Sequence, residues 1–367
     1  GTGCVRSANN NSRNGYGLVV DNVYNNSVIS NCTNEATIHY GRGYMGGIAG
    51  YVENSTVDNC TNRGNIYNNY SNTSEGVAGG IAGAIVNAKV NACTNTADIY
   101  ACAAAGIVCK IGKSTGDLSV VSSCVNYGTA YYYDWKKVVD SYCAAFSHYN
   151  YGTIIDCVNV QDISNVLVSS QYGKMYNCYT QGNTKLTNPL HSTTPRDGYA
   201  EVNIVYDMDM VSSDFGITNY MKDIERVVPE SGKGTYLLNK NRVVIDEEDK
   251  DVHYFQALTG DEVHNRPMLA REIEDEQLRK EVVKVAFFDG FSMADCNYCN
   301  KGESLTVPDY SESIMLTVTG WMNEADDTDI VNAGDVITPD SDAEYTAMVS
   351  ANEDLTAPEG TGTKIDP

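Results

Sequence analysis

The chain predicts a mainly β protein: a parallel β-solenoid of about six coils with a capping segment, then a small β-grasp-like domain. Three observations predict it. Cysteines mark a period, with Cys4, Cys32, Cys60, Cys93, Cys124, Cys157 and Cys178 standing 28, 28, 33, 31, 33 and 21 residues apart. The phrase "GGIAGYVENSTVDNCTNRGNI" (Gly46–Ile66) returns as "GGIAGAIVNAKVNACTNTADI" (Gly79–Ile99), identical at 11 of 21 positions. The residues between are Asn, Gly, Thr, Val, Ile and Tyr, which favour strands and turns over helices. Self-similarity at this period means stacked units, each burying its apolar face only against its neighbours. About 30 residues with three short strand-like pieces make one coil, and coils stack at about 4.8 Å.

Each element of the coil has a physical reason. The glycines allow corners of positive φ and leave no side chain to clash between coils. Ile48, Ile81, Val57, Val90, Ile66 and Ile99 point inward as aliphatic ladders. Cys32, Cys60, Cys93, Cys124 and Cys157 form another inward ladder, because a free cysteine behaves as a small hydrophobe. Disulfides between adjacent coils are geometrically allowed, but one cysteine per coil reads better as core packing. Cys102, Cys109 and Cys143 lie off the ladder. Asn62, Asn95, Asn126 and Asn159 stack at a turn and bond coil to coil through their amides.

Four regions follow: the solenoid at 1–195; its end, a capping helix near 231–240 and a connector at 196–281; the β-grasp-like domain at 282–351; and a linker at 352–367. The opening "GTGCVRSANN" reads as a stretch from the middle of a longer chain. Charge divides the same way. Residues 1–199 hold 12 basic and 12 acidic groups, and the rest of the chain holds 13 basic and 36 acidic ones, the whole excess of −23. Such an excess repels nucleic acid. No run of 18 apolar residues is present to span a membrane.

The repeated phrase resembles the GLUG motif of bacterial surface proteins, a Gly-rich phrase followed by Val-x-Asn-Cys-x-Asn-x-Gly-x-Ile/Val. The likeness is good over 46–99 and looser over 15–45 and 100–180. "SGKGTYLLNKN" with "VHYFQALTGDEVHNRPML" resembles the segment that closes such arrays, and it implies a helix over the open end of the solenoid. From Lys284 the order resembles an internalin-B-type repeat: Gly302, Leu305 and Pro308, then Gly320 and Trp321, then Tyr345 and Ala347. It departs where "SESIML" replaces the usual Gly-Tyr pair and Val349 the terminal Trp. These resemblances imply a surface location, a passive role and a small β-grasp-like spacer. They bring no catalytic residue.

Candidate chemistry is sparse. "CNYC" (Cys296–Cys299) has redox or half-zinc spacing, but no second pair completes a site, so it reads as a loop disulfide or thiol pair. "GKGT" (Gly232–Thr235) lacks the order of a phosphate loop. "DEEDKD" (Asp246–Asp251) lacks the alternation and glycine of an EF-hand loop. "YYYDWKK" places Tyr131, Tyr132, Tyr133, Asp134 and Trp135 together, and aromatic faces beside a carboxylate suit a sugar ring. No GxSxG or HExxH occurs, and the acids of the array share no coil position. The expectation is a non-catalytic structural or adhesive module of a secreted or surface-anchored bacterial protein, an extracellular monomer with no cofactor or metal. Its partner would be an unidentified surface glycan or protein. The alternative is a carbohydrate-binding or carbohydrate-processing solenoid.

Overall fold

The computed structural model describes residues 15–351, apart from 40–41, 71–75, 133–142, 161–165, 182–189, 191–198, 208–220, 248–249, 257–265, 291 and 310–315. The chain divides into two compact units, Gly1–Glu276 and Gln277–Pro367.

The first unit is a parallel β-solenoid. Its three large sheets contain 10, 4 and 13 strands among the described residues. Every strand pair within them is parallel, and pairing follows the repeat. Val57 lies between Ile29 and Val90, Ile66 between Ile38 and Ile99, and Asn95 between Asn62 and Asn126. The sheets end at different heights. The 4-stranded sheet stops at Ala130–Tyr132 and the 10-stranded sheet at Val166–Gln171. The 13-stranded sheet continues through Lys174–Thr180 and Ala200–Asp207 to Met221–Val227. Eight layers are therefore stacked in this sheet, where the sequence reading expects about six coils. The later layers lack the glycine phrase, so the repeat fades before the stacking does.

Ile48, Val52, Val57, Ile81, Val90 and Val121 fill the space between the two larger sheets at 0 % exposure. Ile38, Ile66, Ile99, Met45 and Ala78 fill the space behind the smallest sheet.

The glycines meet one half of the expectation, the absence of side chains that would clash between coils, and not the other. Positive φ at the corner before each ladder cysteine belongs to Asn31, Asn59, Ala92, Ser123 and Asp156, and the same conformation recurs at Asn177 and Asn203. Asn and Asp tolerate that region because their short polar side chains bond locally. The repeat glycines serve close approach instead. A Cβ on Gly47, Gly80 or Gly106 would collide with the amide of Asn62, Asn95 or Asn126. The glycine phrase and the Cys-x-Asn phrase are thus two sides of one contact.

The helix also departs from expectation. Lys233–Lys240 is helical, but it packs on the outer flank of the 13-stranded sheet rather than over its end. Leu238 sits with Val205, Val158 and Tyr179, which face outward from successive layers.

The second unit carries a mixed five-stranded sheet. Its order is Met293–Asn300, Val282–Phe288, Ala343–Ala351, Leu316–Asn323, Asp326–Val331. The second and third of these run parallel and their neighbours antiparallel, as a β-grasp-like sheet requires. Trp321 is fully buried, with Phe287 edge-on at 5.1 Å. Cys296 and Cys299 lie within a strand, opposite Ala286 and Val283, and not in a loop. Residues three apart on a strand face opposite sides, so the two cannot converge on one bond or one metal. Both are free thiols.

Candidate functional site

Two ladders run inside the solenoid. The asparagine ladder is continuous: Asn34 Nδ2 donates to Asn62 Oδ1 (2.7 Å), Asn62 to Asn95 (2.9 Å), Asn95 to Asn126 (3.0 Å) and Asn126 to Asn159 (2.9 Å). It ends on Thr180 Oγ1 at 3.2 Å. Asn62, Asn95, Asn126 and Asn159 are fully buried. Buried amides are tolerable because each has a partner.

The cysteine ladder lies beside it. Cys60, Cys93, Cys124 and Cys157 are buried and Cys32 half-buried, and the eleven described cysteines are all free thiols. Each thiol reaches back around its corner to a carbonyl two residues upstream, as Cys93 does to Asn91 (3.1 Å) and Cys157 to Ile155 (3.2 Å). Burial pushes the Cys93 and Cys157 thiols well up, and Cys109 up to about 12. Thiols held neutral by burial, as Cys93, Cys157 and Cys109 are, are chemically inert.

An aromatic ladder lies outside. His39, Tyr67, Tyr100 and Tyr131 stack along the smallest sheet with ring centroids 4.7 Å apart and planes within 11° of parallel. Burial, then the Asp98 carboxylate, pushes the Tyr100 phenol up to about 12. Stacked this closely, the inner rings admit no sugar between them and offer only edges and hydroxyls. Among the described residues Tyr131 is the last ring of the stack, at 39 % exposure, and Tyr132 is half-buried. Tyr133, Asp134 and Trp135 lie outside the described residues.

Sequence reasoning missed a second built surface, where the described residues between Pro229 and Ile273 strap the flank. The outward position of each layer reads Thr33, Thr61, Thr94, then Val125, Val158, Tyr179 and Val205. The phrase changes from "CTN" to "CVN" where the strap's Leu238, Tyr254 and Leu269 pack. That change was the available signal.

The strap grips successive corners. Asn203 Nδ2 donates to the Leu238 carbonyl (3.0 Å), and Asn177 exchanges two bonds with the Val243 backbone (2.7 and 2.9 Å). Arg242 Nη2 bonds Asp156 Oδ2 at 2.8 Å, with both side chains nearly dry (7 % and 0 %). Arg266 pairs with Glu272 at 2.6 Å, each side chain 3 % exposed. Glu272 also accepts from the Tyr127 hydroxyl (2.9 Å). Burial, then the Glu272 carboxylate, pushes that phenol up to about 12. Arg271 donates to the carbonyls of Ala92 (2.9 Å) and Cys93 (2.7 Å) and to Thr94 Oγ1 (3.1 Å).

Among the described residues, no group of three or more His, Cys, Asp or Glu is placed to hold a metal ion. No helix there is long and apolar enough to cross a membrane.

Comparison with known proteins finds one similarity. The family model for the GLUG motif matches residues 41–67, one coil of the array. GLUG repeats occur in extracellular or surface proteins and are generally non-catalytic. No curated protein and no solved structure matches the chain.

Proposed function

We propose that the chain is a non-catalytic structural and adhesive module of a secreted or surface-anchored bacterial protein. In this reading unit one is a stiff stalk segment, residues 282–351 are an internalin-B-type spacer, and 352–367 lead onward. The module works as an extracellular monomer and presents its flank to a surface glycan or protein. The observation that carries the reading is the unbroken asparagine ladder from Asn34 to Thr180. It ties these layers to one another along the stacking direction in addition to the backbone ladders, as a rod under tension needs. The GLUG match supports the surface location.

Force spectroscopy on the chain held at its two ends tests this. A stalk yields in repeated steps of one coil, about 30 residues, at forces well above those of a loose chain. Extension at negligible force, or release of reducing sugar ends from a polysaccharide panel, refutes it.

The carbohydrate reading keeps one supporting observation, the exposed ring of Tyr131 at the end of the aromatic stack. A glycan array separates it from a purely mechanical stalk: retention that is lost on Tyr131→Ala favours it, and no retention counts against it.

A further inference from the structure

Among the described residues, a row of apolar side chains reaches solvent on one face of the five-stranded sheet in the second unit. Val285, Phe287, Trp321, Val331 and Tyr345 fill the opposite face, packed with Leu305, Val307 and Ile337. Their neighbours along each strand point the other way, because side chains alternate. Met293 pairs with Phe288, Phe288 with Thr346, Thr346 with Met322 and Met322 with Ile330, so one row crosses all five strands. Met348 stands on the same side, two residues beyond Thr346. Met293, Ile330 and Met348 are 55 %, 47 % and 36 % exposed, and Phe288 and Met322 are half-buried. Single exposed apolar side chains are ordinary, but a contiguous row marks a place of contact. Methionines dominate this row, and their unbranched, polarisable side chains refit to a partner.

The fringe of the row is acidic. Glu324 accepts from the Thr346 hydroxyl at 2.7 Å, beside the middle of the row. Asp326 accepts from the hydroxyl of Thr328 at 2.6 Å, and Thr328 shares its face with Ile330. Glu344 lies opposite Ala286 on the same side and holds Lys284 at 3.5 Å. Asp289 stands in the turn between Phe288 and Met293 and accepts from the Ser292 hydroxyl at 2.7 Å. The sign of this charge follows from the sequence as well, since residues 277–367 hold 5 basic and 18 acidic groups.

We propose that this face docks a cationic amphipathic segment of another protein. Aliphatic or aromatic side chains of the partner lie on the methionine row, and its Lys or Arg side chains meet Glu324, Asp326, Glu344 and Asp289. Charge selects this occupant over two others. A second copy would set two strongly acidic units face to face, and like charges across an interface repel. The stretch 352–367 holds four acidic groups and one basic group, so it meets the same repulsion. The docking surface stands on the geometry of this sheet and does not rest on the stalk reading.

The full chain labelled with ¹³C at its methionine methyl groups tests it, because Met293, Met322 and Met348 lie on the face while Met45 and Met268 are buried in the first unit. A helical peptide of leucine and lysine, with its leucines along one side, is the probe. It shifts the methyl signals of Met293, Met322 and Met348 and leaves those of Met45 and Met268 in place. Ile330→Ser weakens its binding by about tenfold or more, the loss of one apolar anchor. Ile330 is exposed, so the melting temperature of this variant stays near that of the parent chain and separates lost binding from lost fold. The same peptide with serine for leucine, or with glutamate for lysine, binds more weakly by a similar factor. Unmoved face methyls at millimolar peptide, equal affinity for the serine or the glutamate peptide, or unchanged affinity in folded Ile330→Ser overturns the assignment. Shifts of the same methyls with protein concentration alone would give the face to a second copy and overturn it too.

Discussion

Replacing Arg242 by alanine should be among the most damaging single changes in the first unit. Its partner Asp156 is completely buried, and without Arg242 the carboxylate loses its paired charge, while the Asn177 amide stays at 3.1 Å. Breaking a buried pair from one side costs about 3–5 kcal/mol, because an uncompensated charge stays behind. For a unit of this size each kcal/mol is worth about 2–4 °C, so melting should fall by roughly 6–20 °C. The reasoning also fixes what restores stability. Asp156 adopts φ +52°, and Asn occupies the same corner at 31, 59, 177 and 203. Asp156→Asn therefore preserves the backbone and removes the charge. The double variant Asp156→Asn/Arg242→Ala should lie within about 1–2 kcal/mol of the parent, with a coupling of about 2 kcal/mol or more. Thermal melts of the four proteins, with hydrogen exchange read over 233–272, make the cycle. Single and double losses that simply add would refute the argument, and so would a shift below about 2 °C for Arg242→Ala.

Two further outcomes follow from the same packing. The Cys109 thiol and the Tyr127 phenol are both held up at about 12 in the folded chain, above ordinary values of 9.0 and 10.0. Groups raised on folding contribute stability that is complete below their unfolded values, so stability should decline from about pH 9 upward and continue to fall toward pH 12. Flat denaturant midpoints between pH 8 and 11 would contradict this. Gly80→Ala places a methyl group against the Asn95 amide and should cost about 1–3 kcal/mol from overpacking. Gly116→Ala, where no atom lies within 4 Å, tests backbone strain alone at φ +88°. Denaturation midpoints should show Gly80→Ala as the more destabilised; the reverse order would mean that the asparagine ladder yields to the new methyl.

The solenoid was legible because its information is local and repeated. Each coil restates which residues face inward, and the cysteine in each phrase sets the register. The contact between Gly80 and Asn95 joins residues 15 apart within one repeated phrase, so it recurs visibly. The strap was not legible in the same way. Arg242 meets Asp156 across 86 residues and Tyr127 meets Glu272 across 145, and each contact occurs once. Nothing in the sequence around an arginine says which corner it reaches. The positive-φ corners misled for another reason. Glycine is the usual owner of that conformation, but here asparagine takes it and glycine is spent on proximity to the amides.

Arrays of this kind change length in evolution by gaining or losing whole coils, a change that leaves every remaining contact in place. The strap removes that freedom. Its grips fall on Asn203, Asn177, Asp156 and Ala92, corners that span four layer steps, or about 19 Å. Excising the coil between Ala92 and Asp156 would leave Arg271 one step past its carbonyls, and duplicating that coil would leave it one step short. The strap is a ruler laid against the stack, and it fixes the number of layers between its first and last grips.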